Sequence, residues 1–224
     1  MPDLILAAKR AESYGAQGIT VHPRPDERHI RYRDVYQLAE VVRTEFNIEG
    51  FPDPNFLKLV EEVKPAQVTL VPDGPDVLTS NAGWDCLKHA PFLAETVSRL
   101  QEGGMRVSLF LDPDLQQVEA AAATGTDRIE FYTEAYASAY LQNREQAIQP
   151  YLLSADLAVK LGLGLNAGHD LNLDNLRFLA ARMKGLEEVS IGHALIADAL
   201  YFGLENSIRM YLRQLEMADI KGEE

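Results

Sequence analysis

The sequence predicts an α/β fold, a TIM-type (β/α)8 barrel, on three observations. Short β-branched runs alternate with longer helical stretches from end to end, as parallel βαβ units do. Seven strand–helix units can be counted, preceded by one helix with no strand of its own. Histidines and carboxylates gather where strands end, the place where such barrels carry their sites. Seven units plus a leading helix make an eightfold barrel with its first strand missing from this chain, and residues 1–224 read as one domain. An open doubly wound sheet is the rival, weakened because no Gly-x-Gly-x-x-Gly follows any strand.

Each element has its own signal. Residues 2–14 space Leu4, Ile5, Ala8 and Ala11 as a helix does, and Gly15 and Gly18 end the run. Residues 18–21 form the first strand. Asp34 reads as the cap of a helix that puts Val35, Leu38, Val41 and Val42 on one face. Strand 46–49 and helix 53–63 follow, closed by Pro65. Strand 67–71 leads into a loop over 72–83 rich in Pro, Gly, Asp and Asn, then a helix over 90–101 stopped by Gly103 and Gly104. Strand 107–111, helix 115–123, strand 128–132 and a helix near 146–161 come next. Strand 163–166, helix 172–183 and strand 188–191 complete the alternation, and one helix spans much of 194–217.

Composition narrows the function. A net charge of −13 disfavours nucleic acid and anionic membranes, which reward basic surfaces. No apolar run approaches the ~18 residues needed to span a bilayer, and no secretion signal opens the chain. The single Cys86 can form no internal disulfide, which fits a reducing cytoplasm. Small anions need only a local donor cluster, and Arg24, Arg28 and Arg31 supply one around His22 and His29.

Four of the five histidines fall at strand ends or the loops that continue them: His22, His29, His169 and His193. His89 starts a helix instead. Glu49 ends a strand, and alternation can point Glu130 into the barrel. Such a carboxylate is partly desolvated, which raises its pKa toward a useful range, while histidine titrates near neutrality unaided. His22, Glu49 and His169 could thus relay several protons. Structural roles compete: a strand-end histidine can serve only as a hydrogen-bonded group, Glu130 can pair with an arginine, and the arginines can form a solvated face. A metal is also conceivable, but no His-x-His or His-x-x-x-His places two ligands on one element. The turns 166–170 and 190–193 place Gly168 and Gly192 after the last two strands, where many barrels bind phosphate at a helix N-terminus.

The segments 18–30, 46–50, 68–72, 165–169 and 189–193, with Thr-Val-His-Pro-Arg-Pro, Asn-Ala-Gly-His and Ser-Ile-Gly-His among them, resemble pyridoxine 5′-phosphate synthase. The resemblance covers essentially the whole chain. It implies a barrel enzyme that condenses 3-amino-2-oxopropyl phosphate with 1-deoxy-D-xylulose 5-phosphate, giving pyridoxine 5′-phosphate, inorganic phosphate and water. It implies no metal or organic cofactor, a cytoplasmic setting and a homo-octamer. His22 and Glu49 match the family's proton acceptors and His169 its donor. Arg24, His29 and Thr79 match residues that bind deoxyxylulose phosphate, and Gly192 and His193 match the other phosphate site. Glu130 is taken with the substrate-binding set. Asp170 occupies a position that contacts substrate through its backbone, and its added negative charge sets this chain apart. The family's first strand and an arginine-bearing loop have no counterpart before Met1. The competing readings are an N-terminally truncated form that is inactive or only binds, and another phosphate-handling isomerase or aldolase. The latter would need a Schiff-base lysine or a metal, and Lys64, Lys88 and Lys160 lie off the strand tips.

Overall fold

A computed structural model of the chain describes residues 3–72 and 82–219. Its first half runs α1 (Leu4–Ser13), β1 (Gly18–Val21), α2 (Tyr32–Val41), β2 (Glu45–Gly50), α3 (Pro54–Val63), β3 (Gln67–Leu70), α4 (Cys86–Glu102) and β4 (Arg106–Leu111). The second half runs α5 (Leu115–Ala123), β5 (Arg128–Tyr132), α6 (Glu134–Lys160), β6 (Gly164–Gly168), α7 (Leu176–Ala180), β7 (Leu186–Ser190), α8 (His193–Phe202) and α9 (Leu204–Asp219). All seven strands are parallel and pair in chain order, β1 to β7, with a register shift only between Leu165 and Asn166. Among the described residues β1 pairs only with β2, and β7 only with β6. This is the nearly closed barrel that the alternation predicts.

Aspartates start many of the helices. Asp3, Asp53, Asp85 and Asp114 each accept a backbone N–H in the first turn of the helix that follows, satisfying a donor that would otherwise be orphaned. These caps account for part of the acidic composition. Strand alternation then sorts the side chains. Ile48, Val68, Leu70, Leu109, Leu111, Ile129 and Phe131 are buried in the apolar shell between sheet and helices. The alternate positions carry Asn47, Thr69, Ser108, Glu130 and Asn166, all buried, so the inside of the barrel is polar.

Several boundaries differ from the sequence-based ones. Helix α4 begins at Cys86, four residues early, because Asp85 caps it. Helix α6 begins at Glu134 and breaks at Asn143, whose backbone is extended; only the portion beyond the break matches the predicted helix. Where one helix was expected over 172–183, only Leu176–Ala180 is helical. The final helix is two, divided at Gly203, whose φ of +81° ends α8. Arg31 rather than Asp34 precedes α2, and Asp34 accepts the Arg31 N–H at 3.0 Å from three residues inside. No helix among the described residues is long and apolar enough to cross a membrane.

Candidate active site

His22 is the residue after β1, and Glu49 lies near the end of the adjacent strand β2. His22 Nδ1 stands 4.0 Å from Glu49 Oε2, with the two side chains 19% and 21% exposed. Burial is the main influence on the imidazole, followed by Arg24, His29 and Arg28, and together they push its pKa down to about 4. The carboxylate opposes this, but 4.0 Å is the limit of an ion pair and desolvation prevails. The ring is therefore neutral near pH 7, with a lone pair able to take a proton.

That shift has a measurable consequence. With a folded value of about 4 against 6.5 unfolded, His22 contributes fully above pH 6.5, and its contribution is lost as pH falls toward 4. His22→Gln should therefore lose about 2 kcal/mol less than the unsubstituted protein on going from pH 7 to pH 5, as read by urea unfolding. Equal losses in both proteins would refute the assignment.

The arginine cluster separates on folding. Arg24 is buried beside His22, Arg28 pairs with Asp26 at 2.9 Å, and Arg31 is an exposed residue at the start of α2. His29 is exposed but close enough to His22 to act on it electrostatically.

Glu130 on β5 is 2% exposed, and its Oε2 has no hydrogen-bond partner among the described residues. Burial, then the Glu49 and Glu188 carboxylates, raise its pKa well above the usual range, against a hydrogen bond to Thr69 that lowers it. The arginine pairing that the sequence left open is replaced by this contact with Thr69 and two like charges. Gly168 makes room for it: a Cβ there would stand 2.1 Å from Glu130 Oε1. Glu130 thus connects the two halves of the rim, sensing Glu49 on one side and touching the residue before His169 on the other.

His169 follows β6 with φ +75°, and Asp170 follows it with φ +60°. The His169 ring meets Tyr132 edge-on, centroids 4.9 Å apart at 86°. Its Nδ1 lies 2.5 Å from Asp170 Oδ2. Gly192 and His193, both exposed, form the N-terminus of α8 just beyond β7. Thr79 lies outside the described residues. Among the described residues no three His, Cys, Asp or Glu side chains converge as metal ligands would. Sequence reasoning missed Thr69 and Tyr132 as members of this end of the barrel. The signal was present, since Tyr132 is two residues beyond Glu130 and so faces the same way.

Comparison with known proteins bears on this geometry. A family model described as pyridoxal phosphate biosynthesis protein PdxJ matches residues 1–217. The pyridoxine 5′-phosphate synthase of Porphyromonas gingivalis is 58% identical over 217 residues, covering 97% of this chain and 91% of that protein. The synthase of Cytophaga hutchinsonii is 57% identical over 215 residues, 96% of this chain and 90% of that one. Among solved structures, monomers of the dimeric phosphoribosylanthranilate isomerase of Thermotoga maritima superpose with a TM-score of 0.62 at 15% identity, covering 95% of this chain and 93% of that one. The thiamine phosphate pyrophosphorylase of Pyrococcus furiosus gives 0.63 at 11% identity, covering 96% and 91%. These two likenesses concern the fold alone. At the level of sequence the match runs nearly end to end, and the chain belongs to the PdxJ family of pyridoxal phosphate biosynthesis proteins.

Proposed function

We propose that this chain is a pyridoxine 5′-phosphate synthase that joins 3-amino-2-oxopropyl phosphate to 1-deoxy-D-xylulose 5-phosphate, releasing inorganic phosphate and water. The observation that carries this is the pairing of proton-handling groups at one end of the barrel. His22, kept neutral, stands beside Glu49; Glu130 lies between Glu49 and the turn that holds His169. Imine formation, dehydration, phosphate loss and ring closure each move protons at different atoms, so one acid–base pair would not suffice. His22 and Glu49 serve as acceptors and His169 as donor. Glu130, protonated in its buried setting, offers a hydrogen to a substrate oxygen and withholds a second charge from the site.

Two phosphates need two anion sites in an acidic protein. Arg24 and His29 beside His22 suit the deoxyxylulose phosphate, together with Thr79. The first N–H groups of α8, at Gly192 and His193, have no intrahelical acceptor and suit the phosphate of the amino ketone. The Asp170 backbone N–H is assigned to substrate as well. No metal or organic cofactor enters this scheme, and the active form is proposed to be a cytoplasmic homo-octamer. Incubating the purified chain with both substrates and following pyridoxine 5′-phosphate by absorbance tests the reading. Product from the unsubstituted protein and none from Glu49→Ala is expected; absence of product from the unsubstituted protein would point to the inactive or binding-only form.

A further inference from the structure

In an extended strand, side chains at successive positions point to opposite faces. His169 and Asp170 do otherwise. Both residues are left-handed, with φ of +75° and +60°, and two such residues in a row turn their side chains by about 100° rather than 180°. The two side chains can therefore meet, and Nδ1 reaches Asp170 Oδ2 at 2.5 Å. Neither residue is glycine, so the conformation is uncommon, and the surroundings have to hold it.

They do so at three successive carbonyls. The Thr133 N–H donates to the Gly168 carbonyl at 3.0 Å, and the Thr133 hydroxyl is shared between the carbonyls of Gly168 and His169. Asn175 Nδ2 donates to the Asp170 carbonyl at 3.2 Å. Asn175 is itself fixed: its own carbonyl accepts from the Tyr136 hydroxyl at 2.7 Å, and its Oδ1 accepts the Asn172 N–H at 2.9 Å. Thr133, Tyr136 and Asn175 are all buried. A turn clamped at each carbonyl, with an edge-on tyrosine behind the ring, leaves the imidazole little freedom.

We propose that Asp170 is a positioning residue for His169, resting on the assignment of His169 as proton donor. An aspartate carboxylate only accepts hydrogen bonds, so Nδ1 must carry a hydrogen when it faces Asp170. That leaves Nε2 as the nitrogen turned to the substrate and as the one that gains and gives the proton. A carboxylate behind a histidine fixes its tautomer and ring orientation, and such supporting partners are worth about 10–100-fold in activity. The negative charge that sets this chain apart after His169 is thereby given a use: it is spent on the histidine rather than on the substrate phosphate.

Two substitutions separate this role from a structural one. Asp170→Asn retains size but cannot favour the Nδ1 hydrogen in the same way; Asp170→Gly removes the side chain and relaxes the left-handed backbone. Both retain the backbone N–H. Each is expected to lower kcat about 10–100-fold with KM for both substrates changed less than about threefold. The melting temperature of the glycine variant should not fall, so a role limited to holding the fold would predict the opposite pairing of effects. Nitrogen-15 NMR of histidine-labelled protein should show His169 with its hydrogen on Nδ1 in the unsubstituted chain and a mixture in both variants. Turnover within twofold of the original in both variants, or an unchanged tautomer, would overturn the proposal. If the unsubstituted chain forms no product, the functional reading fails, and the tautomer measurement alone decides the role of Asp170.

Discussion

His169→Gln is expected to reduce kcat by about 10²–10⁴-fold while the protein stays folded, the range that a single positioned proton-transfer group supplies. Glutamine fills much of the ring's volume and can still donate an amide hydrogen, yet it cannot exchange a proton at neutral pH. The loss should therefore fall on kcat, with KM little altered, because the phosphate contacts belong to Arg24, His29 and the α8 terminus. Folding should survive because the clamp on this turn uses backbone carbonyls: Thr133 and Asn175 bond to residues 168–170 whatever side chain stands at 169. The cost in stability is limited to the Tyr132 contact, and edge-to-face pairs contribute only about 0.5–1.5 kcal/mol beyond their area. Steady-state kinetics with both substrates, beside a thermal melt, checks both halves. Turnover within threefold of the original would remove His169 from the donor role.

How far this site could be read from sequence depends on whether a feature is written locally. Strand ends were legible because β-branched runs are short and punctuated by glycine and proline, so His22, Glu49 and His169 could be placed at one rim. The capped helix starts were partly legible, since an aspartate before an apolar run is a local signal; Asp85 was missed because Pro, Gly and Asn in the preceding loop obscured where the loop ended. The division at Gly203 was missed because apolar spacing continues through it, and a single glycine does not declare its φ. The left-handed turn at His169 and Asp170 is fixed by Thr133 and Asn175, which are distant in the chain, so no local pattern announces it. The polar barrel interior did have a signal. Strands of a parallel sheet are usually apolar on both faces, yet β2, β4 and β5 read Glu-Phe-Asn-Ile-Glu, Arg-Val-Ser-Leu-Phe and Arg-Ile-Glu-Phe-Tyr, alternating polar with apolar.

That alternation predicts the largest stability effect. Arg128→Met should destabilise the protein by about 2–4 kcal/mol at pH 7.5, because it breaks a network that is mostly removed from water. Arg128, 13% exposed, pairs with Glu187 at 2.5 Å and with Glu188, and donates to Asn166 at 2.9 Å. Glu188 also receives Arg106 at 3.0 Å, Asn166 at 3.0 Å and Gln67 at 3.3 Å, and Arg106 continues to Glu45. The estimate lies partly below the 3–5 kcal/mol cost of fully orphaning a buried charge, since these partners remain. Burial already raises the Glu188 pKa, and Arg128 is the first influence opposing it. Without Arg128 that pKa rises further, so the deficit should shrink as pH falls and Glu188 takes up a proton; urea unfolding at pH 7.5 and pH 5 reads the difference. The network joins β2, β3, β4, β5 and β6 to β7 across the barrel, and β7 has its backbone pairing on one side only among the described residues. Side chains thus anchor a strand that the ladder holds by one edge. Because Arg128 begins β5 while His22, Glu49 and His169 lie at strand ends, kcat of the folded variant should stay near that of the original. A deficit that does not change between the two pH values would mean that Glu188 is not the group left uncompensated.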